Sequence, residues 1–359
     1  MSKELLANLS DAFGVSGYEK EVAEVAKNYL KSDALFHMDK IGNLYIKSKH
    51  TSDKKEKRPL KVLFDAHQDE VGFVIQAIRP NGMLDFLKVG GWVVSNVPAH
   101  TVIIKTHTGR KIKGVIASTP PHFMTETERK QALSFDKLVI DVGTSSKEET
   151  ESLGIEIGDP VVPDVRFEML NDNLCLGKAF DCRIGCACLL ETFKDFYSNE
   201  KRNREIEIEA ILTTQEEIGE RGSTVAAQNT DADIAIIFEG CPADDTFTEA
   251  YKIQTALGKG PMLRHHDVSM ITHPGFQRLA IDTATEFDLP IQRSVRSGGG
   301  TNGASYSLSK KAIPCIVIGI PVRYAHTHYC YSDYRDLLVA KELSLRILEK
   351  LNQEVFDKL

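Results

Sequence analysis

The sequence predicts an α/β/α sandwich interrupted by a small β domain, and three observations lead there. LKVLFDA (60–66), DIAIIFE (233–239) and PCIVIGI (314–320) are continuous apolar runs, the pattern of strands buried on both faces of a sheet. Between them lie segments with apolar residues at helical spacing, such as Cys186, Leu189, Leu190, Phe193 and Tyr197. Over roughly residues 74–165 that periodicity almost disappears and hairpin signals replace it.

Taken in order, two helices open the chain. In the second, Ser16 or Gly17 begins the turn, and Val22, Val25, Ala26 and Tyr29 fall on one face. NLYIK (43–47) and LKVLFDA read as strands, and the mixed-charge KHTSDKKEKR (49–58) reads as a solvated loop between them. FVIQAI, RPNG and MLDFLKV (73–89) form one hairpin, and TVIIKT, turning through THTGRK into KIKGVIAS (101–118), forms another. KLVIDVG (137–143) adds a strand. The expected division is a discontinuous main domain, 1–73 and 166–359, with 74–165 as the insertion. EIEIEAIL (205–212) is an alternating strand, Phe276, Leu279, Ala280, Thr283 and Phe287 mark a helix, and a long helix closes the chain from about 333.

Composition narrows the function. With 44 basic and 51 acidic residues the formal charge is 44 − 51 = −7, without long single-sign blocks, which disfavours nucleic-acid binding through phosphates. The longest apolar stretch, AIPCIVIGIPV, is short and broken by prolines, so no membrane span is expected. Seven cysteines, an odd number, lie mostly in apolar segments, which fits reduced thiols and a cytoplasmic protein.

Sites in open α/β folds gather at the carboxyl ends of strands. LKVLFDA runs into His67-Gln68-Asp69-Glu70, EIEIEAILTT into Gln215-Glu216-Glu217, DIAIIF into Glu239, and PCIVIGIPVRYA into His326-Thr327-His328. Asp181 stands ahead of the helix that carries Cys186. Singly, each has an ordinary structural reading: a hydrogen-bonded histidine, a solvated turn, an N-cap. Five such segments in one sheet meet in space, and together they suit a borderline divalent metal such as Zn²⁺, Co²⁺ or Mn²⁺. Carboxylates bridge, so the set could hold two ions about 3.5–4 Å apart. An unligated carboxylate must then move the water's proton, and the adjacent Glu216 and Glu217 could divide the roles of base and ligand. Asp69, two residues past His67, is placed to accept the imidazole's other N–H.

AHQDEVG, AFDCRIG, TTQEEIGERG, the acid of IIFEG, GGGTNGA and RYAHTH occur in the order, and near the spacing, of the M42 metalloaminopeptidases. The chain resembles that family, which includes glutamyl and tetrahedral (TET) aminopeptidases, over essentially its whole length. The resemblance implies a zinc-peptidase-like sandwich with an inserted β-barrel-like domain. It implies two metal ions, with Asp181 bridging, His67 and Glu239 on one, and Glu217 and His326 on the other. Glu216 would be the general base and Asp69 the acid behind His67. His326 is selected over His328, which would face substrate or merely pack. The expected substrates are short peptides, and the inserted domain would mediate homo-oligomers, from dimer to dodecamer.

Three positions depart from the family pattern. Cys182 stands where Asp or Asn is usual after the bridging acid, Glu239 where Asp is commoner, and Asn302 where GGTDAG would carry an acid. Among other signals, Gly298, Gly300 and Gly303 satisfy G-x-G-x-x-G, but a polar run precedes them and no acid follows at the required distance, so a tight loop near the site is expected instead. Cys182, Cys186 and Cys188 read as core, with Cys182 a candidate oxidation-sensitive thiol. Arg264-His265-His266 reads as a polar loop or, with Arg296, as a pocket for an acidic substrate residue. A two-metal deacylase or carboxypeptidase and an inactive scaffold remain the rival readings.

Overall fold

The computed structural model describes residues 3–50 and 58–359; most of the 49–58 loop lies outside them. Strands β1 (Ala34–Met38), β2 (Leu44–Ser48) and β3 (Leu60–His67) open the main sheet. The chain then leaves it for β4 (Gly72–Ile78), β5 (Leu84–Val89), β6 (Thr101–Lys105), β7 (Lys111–Ala117), β8 (Val139–Asp141) and β9 (Pro160–Pro163). These six close into a barrel in the order β4-β5-β8-β7-β6-β9, so the insertion presents no open sheet edge. Its interior is apolar, with Phe73, Ile75, Phe86, Val102, Ile104 and Ile140 buried.

The chain returns through β10 (Glu168–Met169) and β11 (Leu174–Gly177), then β12 (Ile206–Thr213), β13 (Ile234–Pro242), β14 (Met262–His266), β15 (Gln292–Val295), β16 (Cys315–Val322) and β17 (Cys330–Asp333). The main sheet has eight strands in the order β1-β2-β12-β3-β13-β16-β14-β15. Its centre, β12-β3-β13-β16, is parallel; β3, β13 and β16 are buried on both faces, as their apolar runs require, while the alternating β12 leaves Glu207 and Glu209 partly exposed. One face, with Val62, Phe64, Ile208, Ile236 and Ile318, packs on the helices Lys20–Leu30, Phe180–Ser198, Pro274–Glu286 and Tyr334–Lys350. The other, with Leu63, Ile211, Ile237 and Val317, is covered by Arg221–Asn229 and Gly303–Ser307. The helix Phe180–Ser198 is buried all round over residues 184–190, where its sequence is continuously apolar.

One expectation fails here. Arg264-His265-His266 is the end of β14, not a loop. Arg264 is buried and its guanidinium pairs with Asp267 at 3.0 Å, a partner three residues on that lets a cation sit inside a strand. Among the described residues, no helix is long and apolar enough to cross a membrane.

Candidate metal centre

Parallel register brings the carboxyl ends of the central strands to one edge: Thr213 at the end of β12 lies opposite His67 at the end of β3. His67, fully enclosed, directs Nε2 to within 3.0 Å of Asp181 Oδ1, 3.4 Å of Glu239 Oε1 and 3.9 Å of Glu216 Oε2. His326 Nε2 lies 3.3 Å from Asp181 Oδ2 and 3.2 Å from Glu217 Oε2. All five sequence-predicted metal-ligating residues therefore converge, with Glu216, and the Asp181 carboxylate faces a different imidazole with each oxygen. Backbone conformations unusual for side-chain-bearing residues aim three of these segments: Ala179, Gln215 and His326 have φ of 56°, 55° and 61°.

Asp69 does more than sit behind His67. Its Oδ1 lies 3.3 Å from His67 Nδ1, close enough for charge pairing but not aligned as a hydrogen bond. The same Oδ1 accepts the backbone N–H of Glu216 at 3.0 Å, while Oδ2 accepts the Glu217 N–H at 3.1 Å and the Ser16 hydroxyl at 2.6 Å. One buried carboxylate thus clamps the loop carrying both glutamates. Glu19, whose carboxyl burial pushes up to about 7, takes Thr214 Oγ1 and the Gln215 N–H beside it. Ser16 and Glu19 carry no sequence signal for this role, because their partners lie far along the chain.

Glu70 turns the other way. It accepts from Lys178 at 2.6 and 2.8 Å and from Arg183 at 3.2 Å, and Arg183 also donates to the carbonyls of Leu9, Ala12 and Gly14. Asn302, in the glycine-rich loop, is buried and donates to Asp65 Oδ1 and Thr213 Oγ1, both at 2.7 Å. Tyr306 donates to the other oxygen of Asp65, whose carboxyl burial pushes up to about 7 despite these bonds. Asn302 thus ties the glycine-rich loop to β3, two residues before His67. His328 packs: its ring stacks on His100 at 4.1 Å and lies 5.2 Å from Trp92, and burial lowers its pKa to about 3. The barrel touches the site too. A Cβ on Gly91 would fall 2.9 Å from His326 Nδ1, and one on Gly90, at φ +81°, would fall 3.4 Å from Glu217 Cβ.

The electrostatics favour cations. Burial raises the carboxyl of Glu216 well above its ordinary range and raises that of Glu217, and neighbouring acids add to both shifts. Burial likewise opposes charge on the imidazoles, yet His326 donates to the carboxylates of Asp181 and Glu217, which hold it up to about 11. Five acids against two imidazoles leave an anionic pocket. Two donors on one tetrahedral zinc, with bonds near 2.0–2.1 Å, sit roughly 3.3 Å apart. The contacts of 3.2–3.4 Å between His67 and Glu239 and between His326 and Glu217 match that spacing. The donor set fits divalent ions.

A cleft of about 390 Å³ opens over these residues, a size suited to a small-molecule group. Gly298, Gly299 and Gly300 form one wall, and Arg264 and Arg296 stand beside Glu239. Arg296 is paired with Asp244 at 2.8 Å, so neither guanidinium is bare. Two larger clefts, of about 1050 and 850 Å³, lie at the seam of the amino-terminal helices and the barrel, away from both imidazoles.

Comparison with known proteins finds relatives along nearly the whole chain. FrvX of Escherichia coli (strain K12), a candidate aminopeptidase by its name, is 34% identical over 98% of both chains. The glutamyl aminopeptidase of Lactococcus lactis subsp. cremoris is 28% identical, covering 96% of this chain and 95% of that protein. The lysyl aminopeptidase of Pyrococcus furiosus is also 28% identical, covering 97% of each. Among solved structures, a TET aminopeptidase from the marine sediment archaeon Thaumarchaeota archaeon SCGC AB-539-E09 superposes with a TM-score of 0.94 at 33% identity over 99% of both chains. The TET1 peptidase of Pyrococcus horikoshii, described as assembling into a tetrahedron or a large octahedral shell, gives 0.85 at 28% identity over 97% of this chain and 99% of that one. M42 aminopeptidases are metal-dependent peptide-bond hydrolases. Residues 42–343 match the M42 glutamyl aminopeptidase family, and the chain belongs to it.

Proposed function

We propose that this protein is a dinuclear metal-dependent aminopeptidase that releases the N-terminal residue of short peptides, with a preference for acidic residues. One observation carries the two-metal reading: the Asp181 carboxylate stands between His67 and His326, one oxygen toward each. In this reading His67 and Glu239 would hold one ion and His326 and Glu217 the other, with Asp181 available to both. Zn²⁺ or Co²⁺ suits the mixed imidazole and carboxylate set best, with Mn²⁺ a third option. Bound there, the ions acidify water and polarise the scissile carbonyl.

The residues do the rest. Glu216, held by its N–H on Asp69, is the general base that takes the water's proton and returns it to the leaving amine. Burial, with the neighbouring acids, raises its carboxyl, the direction needed by a group that must donate a proton as well as accept one. Asp69 fixes the ring of His67 and the loop of Glu216 together. Arg264 and Arg296 give the cleft its acidic preference. Because each already has an aspartate partner, a substrate carboxylate shares the guanidinium, and selectivity of only about tenfold over a neutral residue follows, near 1.4 kcal/mol. Two equally similar relatives are named glutamyl and lysyl aminopeptidase, so Glu- and Lys-p-nitroanilide are the pair that tests this preference. All seven cysteines are free, which supports a cytoplasmic location, and the barrel is the expected assembly module of a homo-oligomer.

The test is hydrolysis of aminoacyl-p-nitroanilides and their N-acetyl counterparts by chelator-stripped protein, with and without Zn²⁺, Co²⁺ or Mn²⁺. Metal should restore cleavage of free-amino substrates, and Glu216→Gln should lower kcat by about 10²–10⁴-fold. Release of acetate from the N-acetyl series, with the anilide bond of both series left intact, would replace the aminopeptidase with a deacylase.

A further inference from the structure

Cys182 follows Asp181 at the start of the helix Phe180–Ser198 and is fully buried. Its Sγ, with donor atoms of His67 and Glu239, forms a group whose members all lie within 4.8 Å of one another. The thiol's present partner is weak, the Phe238 carbonyl at 3.3 Å. Gly185 leaves the sulfur its space, since a Cβ there would fall 2.4 Å from Sγ. Cys186 instead donates to the His67 carbonyl at 3.0 Å, and Cys188 points to Leu337, away from the donor groups. Among the described residues, Cys182 is the one thiol inside a ligand cluster.

We infer that Cys182 is a sulfur ligand on the His67–Glu239 side of the centre, so that the two metal positions differ in kind. This rests on the two-metal reading above. One position offers nitrogen, oxygen and sulfur; the other, with His326 and Glu217, offers nitrogen and oxygen only. Coordination by the thiol releases its proton to solvent, one per chain, with no change in oxidation state. Sulfur favours Zn²⁺ over the harder Mn²⁺, so the His67 side becomes the zinc-retaining position.

The experiment is zinc K-edge X-ray absorption on the zinc-loaded full-length protein, with zinc content measured on the same sample. The expected result is two zinc ions per chain with one sulfur shared between them on average, at about 2.3 Å. Cys182→Asn should lose the sulfur shell and keep the nitrogen and oxygen shell. A cobalt-loaded sample should show a thiolate charge-transfer band that the same substitution removes. Bound zinc with no sulfur overturns the role of Cys182 and leaves the two-metal reading standing. Sulfur that persists in Cys182→Asn also overturns it. Absence of bound zinc overturns the two-metal reading and this inference with it. Where Cys182→Asn fails to fold, the wild-type spectrum decides alone.

Discussion

Replacing Asp69 with asparagine tests how much of the centre depends on one buried carboxylate. The two oxygens of Asp69 receive three hydrogen bonds and face the His67 ring. An amide has one oxygen. Placed at Oδ1 it still serves Glu216 and His67, and its NH₂ then meets Ser16 and the Glu217 N–H. Ser16 can rotate and accept, but the Glu217 N–H cannot. One orphaned buried donor costs about 1–3 kcal/mol, and the bonds that remain lose their charge assistance. The expected destabilisation is about 2–4 kcal/mol, or a Tm roughly 3–5 °C lower for a chain of this length. Because the displaced loop carries Glu216 and Glu217, metal affinity and kcat should each fall about 10–100-fold, with KM changing little. Calorimetry, chelator competition and steady-state kinetics on the same preparation measure all three. Unchanged Tm together with unchanged metal affinity would refute the clamp.

Two further expectations follow from the geometry. A Cβ at Gly240 would meet the Phe180 carbonyl at 2.4 Å and Asp181 Cα at 2.8 Å, so Gly240→Ala should displace the bridging acid and lower kcat on the order of 10²-fold; an unchanged kcat would mean that Asp181 tolerates the shift. Glu21 binds Lys105 and Lys111 of the barrel, which against the cost of burial hold its carboxyl down to about 2 from an ordinary 4.5. A depressed carboxyl stabilises the fold above its unfolded pKa and loses that contribution as pH falls through the folded one. Wild type should therefore exceed Glu21→Gln by about 1 kcal/mol above pH 4.5, after allowance for solvent screening, and the gap should close toward pH 2 in denaturant titrations.

What could be read from the chain, and what could not, divides by the range of the interaction. Apolar runs ending on His67, Glu239 and His326 announce both the strands and their working ends, because burial and chemistry lie next to each other in sequence. Glu216 and Glu217 follow β12 in the same way. β14 was hidden by its polarity, since nothing local says that Arg264 finds Asp267 and can enter the sheet. Asn302 looks like a lost acid until Asp65, more than two hundred residues earlier, is seen accepting from it. Ser16, Glu19 and the Glu70–Lys178–Arg183 cluster depend on contacts of the same long range. Periodicity reports which face is buried; it does not report which distant partner makes burial of a charge tolerable.

The barrel is inserted between His67 and Asp181, and its glycines Gly90 and Gly91 rest against Glu217 and His326. Val71 and Pro163, beside the two crossings into and out of it, line a small cavity together with Asp181, Glu217 and His326. The insertion is therefore not a cassette that could be trimmed off to leave a simpler catalyst. Excising it would strip one side of the chemistry bare, and grafting in a foreign barrel would succeed only if the graft reproduced that single glycine corner.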